Sequence, residues 1–96
     1  MTRLSDLHPV LVGSIEDGGK GRIMFDCPKH RGTGCRLAFF VGRTAVKGRF
    51  PVWAAIGEFP ETLSLSSSLD FSKRTRDGSP DGDPCWHGGI VNGEIT

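Results

Sequence analysis

Two short stretches constrain this chain more than anything else in it. Cys27-Pro28-Lys29-His30-Arg31-Gly32-Thr33-Gly34-Cys35 and Cys85-Trp86-His87 together hold all three cysteines and two of the three histidines. Each falls where a β pattern meets a turn. A chain of 96 residues buries only a thin core, so a staple between distant segments is a strong expectation. The apolar fraction is 36% and glycine reaches 14 residues, which favours short strands and tight turns over helices.

An odd number of cysteines does not suit a disulfide framework. The opening Met1-Thr2-Arg3-Leu4-Ser5-Asp6 has no apolar run of the secretory kind. The longest apolar run, Leu37-Ala38-Phe39-Phe40-Val41, is far too short to span a bilayer. The expected setting is cytoplasmic, with no membrane partner. Thiols stay reduced there, and grouped Cys and His read as metal ligands.

The expected metal is a structural zinc ion, which takes four thiolate or imidazole donors in a tetrahedron. Five residues compete for four places: Cys27, His30, Cys35, Cys85 and His87. Residues two apart on a strand share a face, so Cys85 and His87 are expected to aim together with Trp86 turned away. Three thiolates and one imidazole is a common closed set, and thiolate is the softer ligand. That favours Cys27, Cys35, Cys85 and His87, with His30 as the close rival of Cys35.

The remaining pattern predicts a mostly β fold: one small antiparallel sheet or sandwich with a zinc knuckle and a C-terminal hairpin. Residues 1–96 form a single domain, with 1–8 as a lead-in and 73–84 as an irregular loop. Val10-Leu11-Val12 opens a first strand. Ile23, Phe25 and Cys27 alternate onto one face of a second, and Leu37, Phe39 and Val41 onto one face of a third. Val52 to Ile56 is a short strand with Trp53 as a core anchor. Leu63 and Leu65 alternate with hydroxyls outward. Asn92-Gly93 is the strongest two-residue hairpin signal in the chain.

Several motifs fail on inspection. Gly13 and Gly18 have phosphate-loop spacing, but Gly19 stands where lysine is needed, and 17–21 reads as a turn. Asp77, Ser79, Asp81 and Gly82 imitate a calcium loop whose twelfth position is Gly88 instead of glutamate. Ser66-Ser67-Ser68 has no His–Asp pair to activate a hydroxyl. His8 has no ligand neighbour at useful spacing.

Phe25-Asp26-Cys27-Pro28, Gly34-Cys35, Trp53, Thr62-Leu63-Ser64-Leu65-Ser66, Cys85-Trp86-His87 and Ile90-Val91-Asn92-Gly93 resemble a family of small uncharacterised bacterial and phage proteins. Its members carry a Cys-Pro knuckle, a Thr-Leu-Ser strand and a terminal Cys-x-His hairpin ending in Asn-Gly. This sequence departs from that pattern in its longer knuckle loop, with His30 near the family's middle cysteine, and in Ser66-Ser67-Ser68. The resemblance implies a zinc-binding module with an accessory or regulatory role, in the host cytoplasm if phage-encoded.

Three functions follow as expectations. The first is a zinc-stabilised protein-binding module docking on a host or bacterial protein, as an accessory factor or an inhibitor of a host enzyme or defence complex. Its contact surface would be the loop carrying Arg43, Lys47 and Arg49, or the 73–83 loop. The second is a nucleic-acid binder using Lys29, Arg31 and Arg36 around the knuckle. A net charge of +1 and the lack of an aromatic row count against it. The third, a small metalloenzyme, is disfavoured: a catalytic zinc needs an open place and a nearby base. The deaminase pattern would need His-x-Glu, which this chain lacks.

Overall fold

A computed structural model describes residues 2–16, 21–77, 79 and 81–96. Nine strands follow in order: β1 Val10–Val12, β2 Gly21–Asp26, β3 Arg36–Gly42, β4 Val52–Ile56, β5 Ser64–Leu65, β6 Leu69–Asp70, β7 His87–Gly88, β8 Ile90–Val91 and β9 Glu94–Ile95. The first five make one sheet in sequence order, while β6–β7 and β8–β9 form two-stranded ribbons. The fold is mostly β, and only two short 3-10 turns, Leu4–Leu7 and Pro28–His30, interrupt it among the described residues. No described helix is long and apolar enough to cross a membrane. The turn expected at 17–21 lies, except for Gly21, outside the described residues.

β2 and β3 are the spine. Their antiparallel register runs from Gly21 opposite Val41 to Asp26 opposite Arg36. The alternation sorts the side chains as expected: Ile23, Phe25, Leu37 and Val41 are fully buried and Phe39 nearly so. Phe25 sits at the centre of an edge-to-face cluster, 6.1 Å from Phe39, 6.4 Å from Phe71 and 5.9 Å from Trp86 between ring centroids. Such geometry sets the positive ring edge against the negative face. Through Phe71 and Trp86 the cluster fastens the C-terminal ribbon to the sheet.

β3 and β4 run parallel, with Phe40, Val41 and Gly42 opposite Val52, Trp53 and Ala54. An all-antiparallel sheet was the expectation. Instead, the 43–51 connection carries the chain back to begin β4 beside the middle of β3. The stretch 1–8, expected as a lead-in, supplies two fully buried core leucines, Leu4 and Leu7. It is anchored by Leu4 N–H to Gly93 carbonyl at 2.8 Å and Ile95 N–H to Thr2 carbonyl at 2.9 Å.

The C-terminal hairpin forms where Asn92-Gly93 predicts it. Both residues take positive φ, 49° and 76°, as a type I′ turn requires. Gly93 is also wedged against the 60–61 backbone, where a Cβ would lie 2.1 Å from the Glu61 carbonyl oxygen. Its N–H reaches the Leu63 carbonyl at 2.8 Å, which seats the hairpin beside β5.

Replacing Phe25 with alanine removes the hub of the aromatic cluster and should cost about 3–5 kcal/mol of stability. Phe50, which is 68% exposed, should change stability by less than about 0.5 kcal/mol on the same replacement. Denaturant midpoints of the two variants check both values.

Candidate metal centre

The β2–β3 connection begins where Pro28 ends the ladder, since proline has no N–H to give. Cys27 N–H donates to the Cys35 carbonyl at 2.9 Å and closes the mouth of the loop. Inside it, the Pro28–His30 turn folds back, with His30 N–H on the Cys27 carbonyl at 3.1 Å. Thr33 holds that turn through its hydroxyl, which donates to the His30 carbonyl at 2.6 Å. Gly32 and Gly34 take φ of 78° and 81°, which lets the loop double back within so few residues.

Cys85 arrives from the other end of the chain. Its N–H donates to the Arg74 carbonyl at 2.8 Å, and the adjacent Pro84 bridges Thr75. The result is one group of four donors, Cys27, His30, Cys35 and Cys85, whose ligand atoms all lie within 4.8 Å of one another. Cys27 Sγ is 3.4 Å from His30 Nδ1, and Cys35 Sγ is 3.6 Å from Cys85 Sγ. A zinc tetrahedron with arms of about 2.3 Å to sulfur and 2.0 Å to nitrogen has edges of roughly 3.5–3.8 Å. Both separations are close to that edge length, so the four residues can hold a metal ion.

The burial of the group supports the same reading. Cys27 is fully buried, Cys85 is 3% exposed, and His30, at 6%, is the one buried polar side chain among the described residues. Its Nε2 donates to Asp83 Oδ2 at 2.8 Å, which leaves the Nδ1 lone pair facing the thiols. A carboxylate behind a ligating imidazole fixes the ring's tautomer and raises its basicity. Asp83 also meets Lys29 Nζ at 3.3 Å. The His30 hydrogen bond first, then Lys29, holds the Asp83 carboxyl below its ordinary range.

Burial pushes the Cys85 thiol up to about 11, and the neighbouring thiols of Cys35 and Cys27 add to the rise. Crowded out of water beside two other sulfurs, the Cys85 thiol resists becoming an anion unless a cation shares the space. Thiolate formation and metal binding are therefore one event at this site.

His87 lies outside the group. It is exposed and sits opposite Asp70 in the β6–β7 ribbon. The face-sharing rule that paired it with Cys85 requires a continuous strand. Here β7 begins only at His87, while Cys85 follows the separate path of the Thr75–Pro84 bridge. All three thiols join the group, and the imidazole comes from His30. Asp83, which orients that imidazole, was not singled out in the sequence, although its place two residues before Cys85 in Asp-Pro-Cys was a usable signal.

The cations expected around the knuckle are mostly engaged. Lys29 pairs with Asp83. Arg36 donates to Asp26 at 2.6 Å and to the His8 carbonyl at 2.9 Å. His8 lies apart from the thiols, with its Nδ1 2.7 Å from Asp26. Comparison with protein-family models, curated proteins and solved structures finds no match to this chain. The family resemblance therefore adds no weight to the site, which stands on its own geometry.

Cobalt(II) titration separates the two histidines. His30→Ala should abolish the tetrahedral thiolate spectrum, while His87→Ala should leave it intact. Asp83→Asn should keep the spectrum but weaken metal affinity by about 10- to 100-fold.

Proposed function

We propose that this chain is a zinc-stapled binding module and that its metal centre is structural. The observation that carries the proposal is the donor set: three buried cysteines and one buried histidine with ligand atoms within 4.8 Å of one another, as many donors as a closed tetrahedral site takes. A catalytic zinc keeps a place open for water or substrate, whereas a closed Cys3His set has none. Zinc is the favoured metal because three thiolates and an imidazole suit a soft to borderline ion in a tetrahedron.

The staple joins Cys35 to Cys85 across 50 positions of chain. In an unfolded chain these donors are scattered, so the free energy of metal binding is also free energy of folding. The acids nearest the ligand stretches are already engaged. Asp83 is held by His30 and Lys29, and Asp26 by Arg36 and His8.

A binding role leaves the partner to be named. The sequence ranks a host or bacterial protein above a nucleic acid. One feature of the structure, a cationic aromatic groove around Pro51, favours the nucleic acid.

Protein purified without added metal should carry about one zinc per chain by elemental analysis. Stripping it with a strong chelator should lower the melting temperature sharply, and restoring zinc should recover it. Metal content far below one per chain, or a melting temperature indifferent to chelation, would sink the structural-zinc reading.

A further inference from the structure

Pro51 interrupts the β3–β4 ladder. Val52 exchanges both backbone hydrogen bonds with Val46, at 2.8 and 3.0 Å, so its groups point away from β3. By alternation, Pro51 and Trp53 face β3, and Pro51 has no N–H with which to continue the pairing toward Ala38. The chains part at this point. A cavity of about 410 Å³ opens there, walled by Ala38, Phe39, Trp53 and Phe71. Phe40 and Phe50 stand at it, 38% and 68% exposed, with Arg22 and Arg49 alongside.

A second cavity of about 200 Å³ shares Pro51 and Trp53 with the first and adds Lys47, Ser67 and Ser68. The Pro51–Trp53 segment lines both cavities. None of their described lining residues is an aspartate or glutamate. Among the described residues, Arg22, Lys47 and Arg49 reach no carboxylate, whereas Arg43 of the same loop is bound to Glu16 and to two backbone carbonyls. The Arg49 guanidinium lies over the Phe50 ring, 5.6 Å from its centre, so charge and ring are held together and the opposite ring face is left to a ligand.

Cations with no carboxylate partner among the described residues, set beside exposed aromatic rings, call for a ligand that alternates anions with flat apolar plates. A polynucleotide strand has that alternation in every repeating unit, whereas a peptide has it only with a special sequence. We propose that this groove binds single-stranded nucleic acid. A base enters the larger cavity against Phe40 and Phe50, and the flanking phosphates lie on Arg22 and Arg49. Stacking of bases on aromatic side chains within a basic groove is how sequence-tolerant single-strand binders work. The proposal rests on the reading of the domain as a binding module, though not on the identity of the metal.

Fluorescence anisotropy of the zinc-loaded full chain with a labelled single strand of roughly ten nucleotides tests it. Binding should weaken with salt at a logarithmic slope of about −2, from three cations at about 0.7 each. Arg49→Gln should reduce that slope by about 0.7. Phe50→Ala should weaken binding by about tenfold while melting temperature and zinc content stay unchanged. Arg22→Gln provides a second charge variant on the rigid strand β2.

Absence of binding at low salt would overturn the proposal, as would binding indifferent to both Phe50→Ala and Arg49→Gln. So would a duplex bound as tightly as the single strand, or an acidic aromatic peptide that binds where the oligonucleotide does not. The last result would assign the groove to a protein partner. Zinc content is measured separately, so a failure of the metal reading stays distinguishable from a failure of this one.

Discussion

The hydrogen bond from His30 to Asp83 is the constraint on which the metal centre depends. A buried imidazole with no partner would carry a desolvation penalty and could present either nitrogen to its neighbours. Asp83, at 2.8 Å from Nε2, meets that penalty at one end of the ring and turns Nδ1 toward the sulfurs. It also ties residue 83 to the β2–β3 loop independently of any metal. That contact brings Cys85, two residues further on, to the mouth of the hairpin. The same bond thus orients a donor and delivers the distant segment that completes the set.

The core explains why such a tie matters. Phe25 touches Phe39 on β3, but its other two ring partners, Phe71 and Trp86, belong to the C-terminal part of the chain. Cys27 lies two residues beyond Phe25 on the same face of the strand, and Cys85 adjoins Trp86. The donor group and the aromatic cluster therefore join the same two segments side by side. Both ties matter in a chain this short. Loss of the metal should loosen the aromatic hub as well, because Trp86 is held on one side by Cys85.

What the sequence made legible was whatever depends on neighbours in the chain. The alternation of Ile23, Phe25 and Cys27 and of Leu37, Phe39 and Val41 identified the core face correctly. Asn92-Gly93 identified its turn, because φ > 0 at both positions is a local demand. The three thiols could be grouped by chemistry alone. The choice of imidazole could not, since it turned on whether Cys85 lies within a strand, and that is decided by the pairing of Pro84 with Thr75, which the spacing of Cys85 and His87 does not show. Leu4 and Leu7 were hidden for a similar reason: one 3-10 turn is too short to show a period. The aromatic groove was invisible because Phe40, the Phe50–Trp53 stretch and Phe71 come from three separate segments, and the parallel β3–β4 pairing that joins the first two is not local.

That parallel pairing also ties staple and groove to one strand. Cys35 stands at the start of β3, and Phe40 lies five residues on, about 17 Å along an extended strand. The four donors gather at the end of β3 that carries no partner on its β4 side. Pro51 leaves that side open by withholding the donor that would have extended β4 along it. Arg74 caps the exposed edge nearer the metal by donating to the Arg36 carbonyl at 2.9 Å, so the opening is confined to Ala38 and its neighbours. An unsupported edge of this kind would ordinarily invite pairing with another chain. Here the staple and the arginine cap hold it short, and what remains is a cleft of one or two residues between rings. A binding surface built on a rigid strand keeps its geometry better than one built on a loop. In this molecule a single missing N–H, at Pro51, separates a closed sheet from one with a cleft in it.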